Sequence, residues 1–425
     1  MKSEPIRVLF IVAEYNRISG GQQSLLQLLR RLPQAGVEPL VCFPKIGRCS
    51  EAFREAGVPI VVIAGPRMLT NYGQHLLRMS RLSALKIFFT EMLPYSFRIM
   101  REMRSRQIEI LHCNSVRSLL FGALVPRLLG YKVVWHVRGQ LLPFGKVVRR
   151  SAEVLATSII VVADELKKEI TPARRHRCRT IYNGIDEQAV PLDISAESAA
   201  FVPVDNQPVI VTVAAVTPFK GYHHLLSAAR IVNQKSKEKK PIFLCIGELF
   251  DQNYFNYLKE LMAEFRLDNV QFLGWQQNPF PYYKLADMVV LPTVEHEQLK
   301  IGDEVTEVRS GEGFPRSILE AMYCGKPAVA TKVAGTTEQI LHGETGILVP
   351  SSDPTALAEG ILKMLALPAS ARREMGERAA ERARERFTTG RMAHETVELY
   401  RELITGAASK PLPAAAIAQN TSPAK

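Results

Sequence analysis

At 425 residues the chain is too long for one small domain and suggests two. Its 47% hydrophobic content is ordinary for a globular protein, and no apolar run reaches the roughly 18–20 residues that span a bilayer as a helix. The formal charge of +12 is uneven, with 29 Lys/Arg against 13 Asp/Glu in residues 1–186; the first half therefore expects an anionic partner, and it shows no recognisable nucleic-acid module.

No signal-peptide pattern precedes the first strand, so the chain reads as cytoplasmic. Val8–Val12 is a short apolar run, hence a buried strand. Ser19-Gly20-Gly21 follows, then a helix carrying Leu25, Leu26, Leu28, Leu29 and Leu32. Strand, glycine turn and helix make half of a Rossmann-like unit, with Gly20 and Gly21 near a helix start that suits a phosphate. The alternation continues with strands near 39–43, 59–64, 108–113, 131–137, 158–162 and 179–182. Helices are expected at 50–56, across 74–105, and at 116–129, 145–156 and 164–170. Residues 76–106 combine seven Lys/Arg with many Leu, Met and Phe, a pattern for a membrane-surface helix or for a solvated outer face. The six cysteines are scattered without metal-binding spacing and read as reduced thiols packed as small hydrophobes.

Tyr182-Asn183-Gly184-Ile185-Asp186 closes this half with a turn dipeptide. Residues 187–207 read as a linker. The second half repeats the scheme. A strand at 208–214 leads to Lys220-Gly221 and a helix. A strand at 241–246 ends at Gly247-Glu248. Helix 253–265, strand 270–273, helix 279–285 and strand 287–291 follow. Strands separated by helices imply parallel sheets covered on both faces. Residues 370–404 are strongly helical, and 406–425, rich in Ala, Pro and Ser, read as a disordered tail.

The stretch from Gly311 to Met322 organises the second half. Pro315 suits the first position of a helix, where no N–H is needed. Gly325 and Pro327 then stop the helix before an apolar strand at 327–331. The helix start offers free N–H groups and the positive end of the dipole, a natural phosphate site. Arg316 lies in the first turn, Glu320 four residues on along the same face, and Glu312 in the preceding loop. The plain alternative is a surface helix carrying an Arg316/Glu320 ion pair.

This stretch resembles the signature of the retaining glycosyltransferases of family 4, also called glycosyl transferases group 1. They have two Glu separated by seven residues, then Glu-Ala-Met and a Gly-x-Pro before an apolar strand. Here it reads Glu312, then Glu320-Ala321-Met322-Tyr323-Cys324-Gly325-Lys326-Pro327-Ala328-Val329-Ala330-Thr331. The resemblance covers roughly residues 6–400 and implies an α/β chain of the GT-B fold. In that fold two Rossmann-like domains face each other across a cleft and the last helix crosses back to the first. It implies an acceptor-side domain at 1–186, a nucleotide-sugar domain at 208–385 and a crossover helix at 386–405. Gly20, Gly21, Lys220, Gly247, Arg316 and Glu320 are then donor-binding, and Glu312 catalytic. The family places a His before a Gly or Asp at the end of the strand matching 131–137. Here the run is His136-Val137-Arg138-Gly139. In the family that residue contacts the transferred sugar, so His136 and Arg138 are further catalytic candidates: Arg138 fills the position by alignment, His136 by residue type, and on a strand the two share a face.

Two further departures stand out. The family usually carries an Arg shortly before the Lys-Gly; that position is Ala215. Residues 294–311 are longer than usual and read either as a loop shaping the acceptor cleft or as a disordered excursion. The chain has no Asp-x-Asp, so fixed charges rather than a metal are expected to hold the leaving diphosphate. The expected activity is transfer of a sugar from a nucleotide sugar to a glycan or lipid-linked acceptor. The setting is assembly of bacterial polysaccharide or lipopolysaccharide, with the enzyme on an anionic membrane surface. No cofactor beyond the donor is expected. The alternatives are a binding protein without turnover and a nucleotide-sugar epimerase or phosphorylase of the same fold.

Overall fold

The computed structural model describes residues 4–70, 81–141, 145–186, 190, 207–236 and 239–406. The chain divides into two compact units. One is Met1–Asp186 with Thr388–Lys425, the other Glu187–Phe387. The expected linker and tail lie outside the described residues, apart from Val190, Gln207 and Gly406.

The first unit holds seven strands: β1 (Ile6–Ile11), β2 (Val37–Phe43), β3 (Ile60–Val62), β4 (Ile110–Cys113), β5 (Lys132–Val137), β6 (Ser158–Val161) and β7 (Cys178–Thr180). They form one parallel sheet in the order 3-2-1-4-5-6-7. Val8, Leu9, Phe10 and Ile11 are all fully buried. Successive strand residues point to opposite faces, so such a run belongs to a sheet covered by helices on both sides. The order reverses direction between β1 and β4. At such a switch point the loops after the strands open a crevice for ligands.

The second unit repeats the plan with β8 (Val209–Val213), β9 (Ile242–Ile246), β10 (Val270–Gly274) and β11 (Met288–Leu291). After an insertion, β12 (His296–Ile301) and β13 (Glu304–Arg309), come β14 (Ala328–Thr331) and β15 (Gly346–Val349). The main sheet runs β10-β9-β8-β11-β14-β15, all parallel, with its switch point between β8 and β11.

Three segments differ from expectation. The insertion is neither a plain loop nor a disordered excursion: β12 and β13 pair antiparallel from His296↔Arg309 to Ile301↔Glu304. Its alternation of polar residues with Leu299 and Val308, the two buried positions, is a strand pattern with one covered face. Residues 164–170 form a 3₁₀ turn, Asp164–Glu169, that ends where Ile170 turns extended ahead of a second short turn opened by Pro172. Between Arg81 and Ser105 the helix is interrupted by a π turn at Phe88–Met92. Pro94 just beyond it has no N–H to give the regular ladder. Residues 71–80 lie outside the described part.

The last helix, Thr389–Thr405, belongs to the first unit. Met392, Ala393, Val397, Leu399 and Tyr400 enter the same core as Val8, Phe10 and Leu28. The strand-end motif closes this return. Gly184 lies so close that a Cβ there would sit 2.3 Å from Thr388. Thr389 donates its N–H to the Ile185 carbonyl at 3.1 Å, and Asp186 pairs with Arg31 at 2.8 Å.

Candidate active site

In the second unit the signature helix is Arg316–Tyr323. Pro315 takes the N-cap, one position earlier than the sequence suggests, and its carbonyl accepts from Gln339 Nε2 at 2.8 Å. The first N–H groups of a helix have no acceptor within it and remain available to an anion. Arg316 Nη2 lies 3.1 Å from Glu320 Oε1, the two side chains being 15% and 13% exposed. Tyr283 donates its hydroxyl to the other Glu320 oxygen at 3.0 Å. Burial first, then Glu320, pushes the Tyr283 phenol well above its ordinary range, so it stays a donor. Glu320 is thus fixed by two groups.

Lys220 is brought to the same sheet end by a tight turn after β8. Gly221 follows it in the left-handed conformation at φ 71°, with its α-carbon against the Pro292 carbonyl after β11. A Cβ there would lie 2.0 Å from that oxygen, so glycine is required on both counts. Lys220 Nζ is ion-paired with Glu312 Oε2. The signature loop and the β8 turn therefore meet through opposite charges. Gly247 ends β9 with no space for a side chain, since a Cβ would stand 1.9 Å from the Ala214 carbonyl. Ala215 sits beside it, and Val216 N donates to Glu248 O at 2.9 Å.

In the first unit, helix Gly20–Arg31 starts at the switch point after β1. Gln22 folds back to accept from Ser19 N at 3.2 Å, which fixes the helix start. Neither Gly20 nor Gly21 has positive φ. Gly21 lies beside Arg138, where a Cβ would make an ordinary contact with Arg138 Cδ at 3.4 Å. Arg138 stands at the end of β5. Its Nε donates to Asn114 Oδ1 at 2.5 Å and its Nη1 to Asn183 Oδ1 at 3.2 Å. Burial pulls this guanidinium down, to about 9, which leaves it charged at neutral pH. No carboxylate pairs with it among the described residues. Neutral amides fix its direction without cancelling its charge.

His136, two residues earlier, lies behind that guanidinium, its Nδ1 3.4 Å from Arg138 Nη2. It is 1% exposed. Its Nδ1 lies 3.1 Å from His112 Nε2, and His112 Nδ1 lies 2.6 Å from the Tyr400 hydroxyl. Burial, helped by the Arg138 charge, pulls both imidazoles well below their ordinary range. His136 Nε2 is buried without a partner.

Sequence reasoning missed Asn114, Asn183, Tyr283 and Gln339. Asn183 was visible only as half of a turn dipeptide. Tyr283 sits in an aromatic-rich run whose hydroxyl gave no sign of a carboxylate 37 positions away. Among the described residues no helix is long and apolar enough to cross a membrane.

Comparison with known proteins agrees with this layout. The family model described as "Glycosyl transferases group 1" matches residues 193–384, and "Glycosyltransferase Family 4" matches 18–189. The chain is 24% identical to N-acetyl-alpha-D-glucosaminyl L-malate synthase of Bacillus anthracis, over 73% of this chain and 80% of that protein. It is 25% identical to the capsular polysaccharide biosynthesis glycosyltransferase CapM of Staphylococcus aureus, over 58% of this chain and 61% of that one. The Anabaena protein Alr3699/HepE, solved with UDP and glucose, superposes with a TM-score of 0.75 at 20% identity, over 93% of this chain and 99% of that chain.

Proposed function

Since the chain belongs to the family 4 glycosyltransferases and has the GT-B fold, we propose that it transfers a sugar, with retention, from a nucleotide sugar to a glycan or lipid-linked acceptor in cell-surface polysaccharide assembly. One observation carries this: two ion pairs, Lys220–Glu312 and Arg316–Glu320, bracket a helix start at the switch point of the second sheet. The site holds both charges a donor needs. Lys220, Arg316 and the helix dipole meet the diphosphate, and Glu320, held by Tyr283, meets the ribose hydroxyls. Glu312 is left for the transferred sugar. Arg138 supplies a fixed positive charge in the acceptor-side unit. One relative is named for capsular polysaccharide biosynthesis and another for synthesis of N-acetyl-alpha-D-glucosaminyl L-malate, and the Anabaena neighbour was solved with UDP and glucose.

In this proposal no metal grips the diphosphate, and Lys220 must leave Glu312 when the donor arrives. The four charged groups neutralise one another until then. A thermal-shift panel of nucleotide sugars tests this directly. One base and one sugar should raise the Tm above the free nucleotide; a panel in which none does would remove the donor site.

A membrane surface as partner is supported by the segment 81–105. Leu82, Leu85 and Phe89 are exposed at 81%, 55% and 57%, spaced along one helical face, and Phe97 is 57% exposed. Arg98, Arg101 and Arg104 are exposed on the next helix. Exposed apolar side chains flanked by Arg suit an interfacial helix on anionic lipid.

A further inference from the structure

The insertion hairpin brings a third cluster together, distinct from the two ion pairs. His223 and His224 open helix Tyr222–Lys235, and Glu297 is the second residue of β12. His223 Nε2 lies 2.6 Å from one Glu297 oxygen and His224 Nε2 2.7 Å from the other. Adjacent helix positions do not normally face a common point. Here both rings do, with centroids 4.1 Å apart. Their donor atoms and the carboxylate all lie within 4.8 Å of one another. His223 is 6% exposed, and the side chains of His224 and Glu297 are each 15% exposed.

We propose that His223, His224 and Glu297 form a binding site for a divalent transition-metal ion of the zinc type. Two imidazoles and one carboxylate are a ligand set for Zn²⁺ with one position left open. Mg²⁺ and Ca²⁺ ask for oxygen ligands and fit poorly. The outer partner is also present. His223 Nδ1 lies 2.8 Å from the Tyr254 hydroxyl, which also accepts the His223 backbone N–H at 3.2 Å. An Nδ1–H donating to Tyr254 leaves the Nε2 lone pair aimed at the cluster, as metal-bound histidines are usually oriented. An ion about 2.0–2.1 Å from each donor needs the donors roughly 3.3 Å apart. The carboxylate must therefore back away slightly, a small movement for a side chain on a two-stranded hairpin.

The site would fasten the hairpin to the turn that carries Lys220. His223 is three residues beyond Lys220, and Val294 N already donates to Phe219 O at 2.8 Å. The ion is a brace next to the donor site and takes no part in gripping the diphosphate. The proposal does not depend on glycosyl transfer.

The test is a Zn²⁺ titration of the chelator-stripped full chain against a chromophoric chelator, with Co²⁺ as the spectroscopic probe. We expect one equivalent of Zn²⁺ bound with a sub-micromolar Kd and a Tm that rises with the ion. His224→Ala and Glu297→Gln should each weaken binding at least 100-fold, and Tyr254→Phe about 10- to 100-fold. Glu297→Gln keeps the shape of the side chain, so its fold can be checked by circular dichroism. Absence of Zn²⁺ binding in the wild type would mean that the imidazoles only hydrogen-bond to Glu297, and would overturn the proposal. So would unchanged affinity in folded Glu297→Gln, or a thiolate–cobalt absorption band pointing to the cysteines.

Discussion

At the scale of single residues, the proposed donor site is a set of charges already spoken for. Lys220 is paired with Glu312 at 15% exposure on each side. Removing the acid should free the lysine for phosphate. Exposed pairs contribute up to about 1 kcal/mol, and desolvation keeps the net worth of a covered pair in that range. Glu312→Gln should therefore bind the free nucleoside diphosphate as well as the wild type, or up to about fivefold tighter, while transfer falls at least 100-fold. Calorimetry and a turnover assay read the two effects separately; weaker nucleotide binding would mean that Glu312 orients Lys220 for the phosphate or accepts from a nucleotide hydroxyl itself. Arg316 answers a different question, the Arg missing at Ala215. Its guanidinium is held by Glu320 and presents a planar fork suited to phosphate oxygens. Arg316→Ala should lower kcat/KM at least tenfold, about 1.4 kcal/mol of barrier. Adding Ala215→Arg should recover part of that. A silent Arg316→Ala would leave it a helix-surface residue. The sequence offered Arg316/Glu320 both as donor ligands and as an ion pair, and the geometry has the pair. What it could not show was Tyr283, because a hydroxyl-to-carboxylate contact depends on how two helices pack.

At the scale of elements, the apolar runs made the two parallel sheets legible. Val8 to Ile11 or Met288 to Leu291 leave few options besides a strand buried on both faces. The hairpin at 296–309 was not legible, since charged residues on its open face hide a short strand among loop-like residues. His136 and Arg138 could not be told apart in the sequence for another reason. Two residues on one strand share a face, but only the one at the strand end leaves the core. His136 joins His112 and Tyr400, linking β4 and β5 to the last helix. Both imidazoles are held neutral by burial, below their ordinary range. Unfolded histidines take up protons near pH 6.5. Below that pH the unfolded chain binds protons the folded one refuses, so stability falls as the pH drops. The Tm should decline from pH 7.5 to 5.5, and the decline should be shallower in His136→Asn, whatever that variant does to the Tm at pH 7.5. Equal slopes in the two proteins would show that this pair does not govern acid sensitivity.

At the scale of the whole molecule, charge and chemistry divide between the two units. The first carries the excess of Lys/Arg and the exposed row of Leu82, Leu85 and Phe89; the second carries the signature. Binding to vesicles containing anionic lipid should exceed binding to neutral ones, and should weaken as salt is raised past the point where the Debye length is about 8 Å. Leu85→Glu/Phe89→Glu should reduce it at least tenfold. Equal partitioning to both vesicle types would leave the basic face as solvated surface. On the proposed function, this chain turns over a nucleotide sugar at the ion-paired helix start. Release of nucleotide from a nucleotide-sugar panel, followed without acceptor, tests it most directly. Slow release from one donor is expected of the wild type, with binding of that donor weakened about 10- to 100-fold in Glu320→Ala, the loss of a charged hydrogen bond. Release that persists unchanged in a folded Glu320→Ala protein, or no release from any donor, would contradict it.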